Sequence, residues 1–357
     1  MKRLGLILVL TLVMLLTYSM VGCGGEEATP TPKPTIAPTS APTPTPEPIV
    51  LKATVDRPDD HAWSMDMYKF KELIEEYTNG RVTLEVYTGG VLFPMTADWE
   101  AVSTGAVDIS ITAPYFAAIA VPAQMVWYMD GVWESNEHGW AVLQDGQVPK
   151  MFHDLSWEAG VKDLGFVPYS SYVIVASADN EISDFTDEEG LRFGVTGPPA
   201  PIHLQYGKGV PVSVPVTEIY TSLTRGIIDF MPWDMIGAAE MQVWDYADHA
   251  FVYAGIYAVA DIWMNQDTWN SLPKEIQDII TTKVIPEVQV LAKNAMEQEE
   301  SELLELLGTK MKTLHVATED QLVAAIEFLQ DDPKFNEQLA YVGPDILAAI
   351  AELRSSK

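Results

Sequence analysis

The chain has 357 residues, of which 51 are acidic and 21 are basic, and its formal net charge is −30. This charge disfavours nucleic acids and anionic lipid surfaces as partners. The hydrophobic fraction of 48% is typical of globular proteins. The part of the chain that follows the N-terminal segment, roughly 300 residues, is long enough for two domains or one large domain.

The N-terminus predicts an export signal. Residues 1–3 are basic at two positions, residues 4–16 form an almost unbroken apolar run, and small residues precede Cys23. The apolar run is short for a stable membrane span. Residues 20–23 lack the preferred leucine of a bacterial lipobox but fit it otherwise. We interpret residues 1–23 as a lipoprotein signal peptide with Cys23 lipidated; the alternative is a chance cysteine near a cleavage site.

A linker follows the signal. Residues 24–48 are rich in Thr-Pro and Ala-Pro pairs, a composition that favours extended polyproline II segments and builds no core. We therefore predict that this Pro/Thr-rich linker holds an exported domain away from the membrane. The predicted location is the outer face of the cell membrane, in the periplasm or at the cell surface, through a lipid anchor. Cys23 is the only cysteine, so the chain forms no internal disulfide.

The folded part alternates predicted strands and helices, the pattern of an α/β protein. Residues 50–55 predict a strand, residues 65–77 a helix and residues 81–87 a second strand. Further along, residues 166–176 predict a strand that crosses out of a first lobe, and residues 250–262 predict a strand that returns. A long helical pattern continues to Leu307.

An internal echo suggests two lobes of similar plan. Residues 100–109 and the later run 219–230 both read as a helix, a glycine, two apolar residues and an aspartate. The loops that follow, residues 112–115 and 231–234, come at the carboxyl ends of predicted strands, where ligands bind in open α/β sheets. We expect these loops to face each other across a cleft. Coincidence is the alternative, because helix–glycine–strand units are common.

The second copy lies in a stretch that resembles a known family. The motifs are GLRFGV at 190–195, EIYTSL at 218–223 and GIID at 226–229, and MNQDTWNSLPKEIQ follows at 264–277. They resemble the signature regions of the solute-binding proteins of TRAP (tripartite ATP-independent periplasmic) transporters. The resemblance covers roughly residues 49–340 and identifies the chain as a DctP-type extracytoplasmic solute receptor in lipoprotein form.

This resemblance implies a two-lobed, periplasmic-binding-protein-like α/β fold. A ligand cleft would lie between the lobes, and a long helix would span both. We expect lobe I to comprise residues 49–171 and 252–285, and lobe II residues 172–251 and 286–345, with hinge motion near residues 170–173 and in the 250s. The implied function is capture of a small organic solute and its delivery to the membrane permease of a TRAP transporter.

Enzyme signatures are missing from the sequence. Its six histidines are scattered without metal-ligand spacing, and it has no Gly-x-Ser-x-Gly motif, phosphate loop or dinucleotide fingerprint. We therefore interpret the protein as a receptor and not as an enzyme. An exported hydrolase or a sensor-type binding protein with the same two-lobed fold is the alternative.

The ligand site is predicted from the same stretch. The family's arginine, which usually pairs with a substrate carboxylate, falls on Gly194, and Arg192 lies at the position of the neighbouring lysine in the family motif. Trp233 would stack on the ligand; its alternative role is packing within its lobe. Without an arginine at 194, either the ligand is not a simple carboxylate or Asp234 holds a cation such as Ca²⁺ or Na⁺; no other cofactor is expected. The full set of predicted ligand-binding residues is Trp233, Asp234, Met231, Tyr172, Tyr115, His61 and Arg192.

Overall fold

A computed structural model describes residues 48–196 and 200–354. The predicted signal peptide, the lipidation of Cys23 and all but the last residue of the predicted linker fall on residues 1–47, outside the described part. Within the described residues, no helix combines the length and the apolar character that a membrane crossing needs.

The strands form one mixed sheet. Their order is β2-β1-β3-β8-β4-β7-β5-β6, and β9 pairs with β8 beside this path. The strands are β1 (Ile49–Thr54), β2 (Val82–Tyr87), β3 (Ile109–Thr112), β4 (Val161–Ala176), β5 (Arg192–Val195), β6 (Val210–Ser213), β7 (Phe230–Asp234), β8 (His249–Asn265) and β9 (Thr313–Val316).

Helices cover the faces of the sheet. They are α1 (Ala62–Thr78), α2 (Asp98–Ser103), α3 (Asn136–Gln144), α4 (Gln147–Glu158), α5 (Ile219–Thr224), α6 (Met235–Glu240), α7 (Gln266–Ser271), α8 (Lys274–Ile279), α9 (Ile285–Lys310), α10 (Glu319–Asp331), α11 (Pro333–Leu339) and α12 (Pro344–Glu352). Short 3₁₀ turns, of which Pro114–Ala117 and Pro122–Tyr128 matter below, connect several of them.

The two long strands β4 and β8 join two α/β halves. In one half, β3 pairs with the end of β8, with Ile109 opposite Met264. In the other half, β7 pairs with the end of β4, with Tyr172 opposite Asp234. The parallel pairs β1–β2 and β5–β6 lie at the outer edges. The units α2–β3 and α5–β7 thus occupy equivalent places in the two halves, as expected of the two echoed sequences.

Both long strands read as continuous apolar runs because they are covered on both faces. Their pairing is irregular in the middle of β4, where the register shifts between Pro168 and Ser170 and again before Tyr172. At this point Glu300 of α9 accepts a hydrogen bond from the Ser171 backbone N–H at 2.5 Å. The irregular segment marks where the chain passes from one half to the other.

Helix α9 spans both halves, as predicted. Its 26 residues correspond to a length of about 39 Å. Near its start, Val288 packs in the core of the first half, and the Gln289 amide donates to the Phe166 carbonyl at 2.8 Å. Near its end, Leu307 packs in the core of the second half. The two-lobed α/β architecture is confirmed.

One predicted boundary is wrong. The predicted loop 231–234 is instead part of strand β7, which begins at Phe230 and continues to Asp234. The pairing explains the shift. Five residues of β7 pair with β4, whereas Phe230 alone pairs with β5, which leaves the β5 side of Pro232 without a ladder partner in the described sheet. Proline is tolerated at such an edge.

Candidate functional site

Polar and aromatic side chains converge at the carboxyl ends of three strands. The chain leaving β1 carries Arg57 and His61, the chain leaving β3 carries Tyr115, and β7 ends at Asp234. All four lie around the middle of β4 near Tyr169. Carboxyl ends of strands in open α/β sheets face the ligand crevice, so this cluster is the candidate ligand site.

A hydrogen-bond chain connects the two halves through this cluster. His61 caps α1, where its Nδ1 accepts from the Trp63 backbone N–H at 3.1 Å. Its Nε2 lies 3.2 Å from the Tyr169 hydroxyl, which donates to Asp234 Oδ1 at 3.2 Å. Burial, and then the charge of Arg57, lowers the pKa of His61 to about 4. The neutral imidazole therefore carries its proton on Nε2, and this N–H donates a hydrogen bond to the Tyr169 hydroxyl.

Arg57 supplies the positive charge of the site. Its guanidinium lies 5.3 Å from the centre of the Trp63 ring, its Nη2 lies 3.9 Å from the Met95 sulfur, and its buried Nε has no hydrogen-bond partner. The loop is held in place because the Arg57 carbonyl accepts from the Ser64 hydroxyl at 3.0 Å and from the Gly89 N–H at 2.7 Å. In the part of the chain that the structure describes, no carboxylate pairs with Arg57, unlike Arg81, Arg192 and Arg354.

Aromatic rings line the same region. The Trp63 and Tyr169 rings lie 5.2 Å apart, and Tyr115 packs edge-on against Tyr128 at 4.9 Å. Tyr172 is opposite Asp234 in the β4–β7 ladder and so lies on the same sheet face. Burial raises the pKa of the Tyr172 hydroxyl well above its usual value, with the Asp234 charge acting in the same direction. Such a wall suits a ligand with a flat or apolar body.

Two acids give the site a negative side. Burial raises the pKa of Asp234, while the hydrogen bonds from the Gly237 N–H (2.7 Å) and Tyr169 act to lower it. Burial also raises the pKa of Glu240, whose side chain is 48% exposed and whose Oε1 lies 4.0 Å from His61 Nε2. Arg57 favours the charged form of both acids. The site therefore holds one cation and two carboxyl groups.

Three predicted site residues lie away from this cluster. Met231 is 1% exposed and packs in the core of the second half. Arg192 is paired with Asp229 at 2.7 Å on the surface of that half. Trp233 alternates with Asp234 along β7, and its indole lies against Gly237 and the core of the second half. A role for these three residues in ligand binding stays a prediction. The other four predicted residues, His61, Tyr115, Tyr172 and Asp234, lie in the cluster.

Gly194 cannot be replaced by the family's arginine without rearrangement. A Cβ at this position would lie 2.6 Å from the Met231 sulfur and 2.8 Å from Ile228 Cδ1. Real Cβ atoms do not approach other atoms so closely, so a larger side chain at this position would require the side chains of Met231 and Ile228 to move. Positive charge reaches the site from the other half of the molecule instead, through Arg57.

The sequence interpretation missed Arg57, Tyr169 and Glu240 as site residues. A signal for Arg57 was present, because it lies in the same predicted carboxyl-end loop as His61. Tyr169 had been assigned to the crossing strand without a ligand role. No sequence signal marks Glu240. It lies near His61 only because helix α6, which Asp234 caps, ends at Glu240.

A metal bound by Asp234 also stays a prediction. Both hydrogen bonds that Asp234 accepts go to Oδ1, one from Gly237 and one from Tyr169. Across residues 48–196 and 200–354, no three side chains of the His, Cys, Asp and Glu types are arranged to hold a metal ion. Asp234 thus caps α6 and anchors the Tyr169 hydroxyl.

The chain is similar to two solute-binding proteins with assigned ligands. The C4-dicarboxylate-binding periplasmic protein of Rhodobacter capsulatus is 23% identical over 305 residues, which cover 85% of this chain and 90% of that protein. The monocarboxylate 2-oxoacid-binding periplasmic protein of a Nostoc species is 26% identical over 224 residues, covering 59% of this chain and 58% of that protein.

The fold is also similar to solved structures. A TRAP periplasmic solute-binding protein from Ochrobactrum anthropi superposes with a TM-score of 0.79 at 16% identity, covering 86% of this chain and 95% of that chain. At this identity the likeness supports the two-lobed fold alone. The family model described as bacterial extracellular solute-binding protein, family 7, matches residues 53–338. The chain therefore belongs to bacterial extracellular solute-binding protein family 7, the family of TRAP-type solute receptors.

Proposed function

We propose that this receptor captures a small organic solute through one carboxylate, which Arg57 binds, and hands it to the permease of a TRAP transporter without turning it over. The observation that carries the proposal is the guanidinium of Arg57, which lies in a fixed loop at the site and has no protein carboxylate as partner. Arginine binds carboxylates with two parallel hydrogen bonds. A solute carboxylate would complete the site.

The charges favour a monocarboxylate over a dicarboxylate. A second carboxylate at the far end of the solute would face Asp234 and Glu240, which already carry the negative side of the site. Like charges at short range are disfavoured in a partly buried site. The two relatives named above bind, by their names, a C4-dicarboxylate and monocarboxylate 2-oxoacids; the charges here favour the second class.

The lobes we propose are residues 49–171 with 252–285 and residues 172–251 with 286–345. The boundary at 171–172 coincides with the irregular register of β4, and the boundary at 251–252 lies on the paired segment of β8. Irregular pairing at the crossing point gives the chain a place to bend. Closure of two lobes around a solute is a hinge transition of the kind seen in periplasmic binding proteins.

A solute panel tests this function. Calorimetric titration of the purified protein with C4-dicarboxylates, sialic acid, 2-oxo acids, sugars and aromatic solutes, each with and without Ca²⁺, should select monocarboxylates. Binding should quench tryptophan fluorescence, because Trp63 lies 5.2 Å from Tyr169 at the site. It should also lower the small-angle scattering radius if the lobes close. Tightest binding of a plain dicarboxylate, with an unchanged radius, would contradict both parts.

We further propose that the receptor is tethered to the membrane by a lipid on Cys23. The support is the sequence pattern alone: a basic start, an apolar run and small residues before the single cysteine. Cys23→Ala should move the protein from the membrane fraction to the soluble fraction of the cell. Because one acyl chain holds a protein only marginally, the wild type should stay bound only if more than one chain is attached. A variant that still sediments with membranes would show that the lipobox interpretation is wrong.

A further inference from the structure

The positive side of the solute site lies in the first half of the molecule, at Arg57 and Trp63. The Arg57 guanidinium is 5.3 Å from the centre of the Trp63 ring. The Trp63 side chain is buried, and its Nε1–H has no hydrogen-bond partner among the described residues. Because buried donors in native proteins are almost always satisfied, a solute carboxylate beside Arg57 would find a second donor in this indole N–H.

The negative side lies in the second half, at Asp234 and Glu240. Across residues 48–196 and 200–354, neither carboxyl group forms an ion pair with a lysine or an arginine. The one basic nitrogen at ion-pair distance is His61 Nε2, 4.0 Å from Glu240 Oε1, and this imidazole is neutral. The cation that acts on both acids is Arg57. A carboxylate bound to Arg57 would therefore leave both acids without a counter-charge.

Aromatic rings border the two acids. The Tyr169 hydroxyl donates to Asp234 Oδ1 at 3.2 Å, and the Tyr169 ring lies 5.2 Å from the Trp63 ring. Tyr172 is opposite Asp234 in the β4–β7 ladder and lies on the same face of the sheet. The face of an aromatic ring carries partial negative charge and attracts cations, quaternary ammonium groups in particular. Carboxyl groups next to such rings form a setting that suits a cationic nitrogen.

We infer that the solute is a zwitterion, with its carboxylate on Arg57 and a methylated, positively charged nitrogen against Asp234, Glu240 and the rings of Tyr169 and Tyr172. This inference rests on the proposed function, because it takes the Arg57 end of the solute from there. It adds the chemistry of the other end. The aromatic surroundings favour a methylated nitrogen over a primary ammonium group, which needs acceptors for three N–H donors.

Other solute classes leave a charge unmatched in this site. A plain monocarboxylate neutralises Arg57 and leaves the two acids facing each other without a cation. A plain cation leaves Arg57 without a carboxylate, and a dicarboxylate places a second negative charge beside the acids, which is unfavourable in a partly buried site. In a zwitterion each charged end meets the opposite charge of the protein.

Pairs of solutes with the same shape test the inference. Glycine betaine and tert-butylacetate differ only in that a carbon replaces the charged nitrogen. The longer γ-trimethylammoniobutyrate and γ-tert-butylbutyrate form a second pair with a greater separation between the two ends. In calorimetric titrations at pH 7, the zwitterion of the better-binding pair should have a Kd at least about tenfold lower than its uncharged-nitrogen isostere. Choline, which lacks the carboxylate, should also bind at least about tenfold more weakly than that zwitterion.

Two variants locate the cationic end. Asp234→Asn keeps an N-cap for α6, because an asparagine oxygen also accepts from the Gly237 N–H. Glu240→Gln changes a half-exposed side chain and should not disturb folding. Each variant should lower the preference for the zwitterion over its isostere at least about threefold. Asp245→Asn is the matched control: Asp245 is an exposed acid just beyond α6, and its variant should keep the full preference.

Three results would overturn the inference. They are equal or tighter binding of the isosteres, no measurable binding of either zwitterion, and a preference that both Asp234→Asn and Glu240→Gln leave unchanged. Isosteres that bind as tightly as the zwitterions and lose affinity in Arg57→Ala would leave the proposed function standing while this inference fails. Binding of zwitterions and isosteres that does not depend on Arg57 would overturn both.

Discussion

Arg57→Ala is expected to weaken solute binding by roughly 10- to 150-fold. A hydrogen bond to a charged group contributes about 1.5–3 kcal/mol, and about 1.4 kcal/mol corresponds to a tenfold change in affinity. The variant should fold normally, because the backbone carbonyl of residue 57 keeps its hydrogen bonds to Ser64 and Gly89. The change should appear in calorimetric titrations with the best monocarboxylate of the panel.

Two controls sharpen this test. Arg57→Lys keeps the charge but loses the planar fork, so it should retain part of the affinity. Arg225→Ala removes an exposed arginine at the end of α5 and should leave affinity unchanged. If Arg57→Ala binds as tightly as wild type while Arg192→Ala does not, the positive charge that holds the solute comes from Arg192, one of the residues predicted from the sequence.

Asp130→Asn is expected to stabilise the protein at pH 8 but not at pH 4. Asp130 is 0% exposed, and no side chain of the described residues donates a hydrogen bond to its carboxylate. Burial raises its pKa from 3.8 to about 7, with Glu188 also raising it and His203 acting in the opposite direction. The folded protein therefore favours the neutral acid, and above pH 7 it must hold a buried carboxylate. An amide of the same shape avoids that charge.

The direction of the pH dependence follows from the two pKa values. The folded pKa lies above the unfolded one, so the stability that Asp130 contributes is fully present below about pH 4. It is lost as the pH rises to about 7, because the unfolded state releases its proton first. A shift of about three units at roughly 1.4 kcal/mol each gives an upper limit of about 4 kcal/mol.

Denaturant unfolding at several pH values measures this effect. The difference in the free energy of unfolding between Asp130→Asn and wild type should grow from near zero at pH 4 to a plateau above pH 7. Asp331→Asn, at an exposed aspartate that ends α10, should show no such growth. A difference that is the same at pH 5 and pH 8 would mean that Asp130 stays charged in the folded protein throughout.

Local signals in the sequence determined most of the architecture. Alternating apolar residues predicted β2, helical spacing predicted α1, and the long apolar runs predicted the crossing strands β4 and β8. The echoed helix–glycine–strand units indicated two similar halves. Each of these signals is read within a window of 10 to 20 residues, where local propensity and periodicity act. The family resemblance supplied the connection between the halves.

Tertiary structure alone decided the chemistry of the site. The sequence shows that the family's arginine is missing at Gly194, and it leaves open what replaces that charge; in the structure Arg192, the remaining basic residue of β5, is neutralised by Asp229. Arg57 takes this role although it lies 137 positions earlier in the chain than Gly194. The chain from His61 through Tyr169 to Asp234 joins residues up to 108 positions apart. Such contacts depend on how β1, β4 and β7 are ordered in the sheet. Periodicity in the sequence predicts single strands but does not predict which distant strands are neighbours.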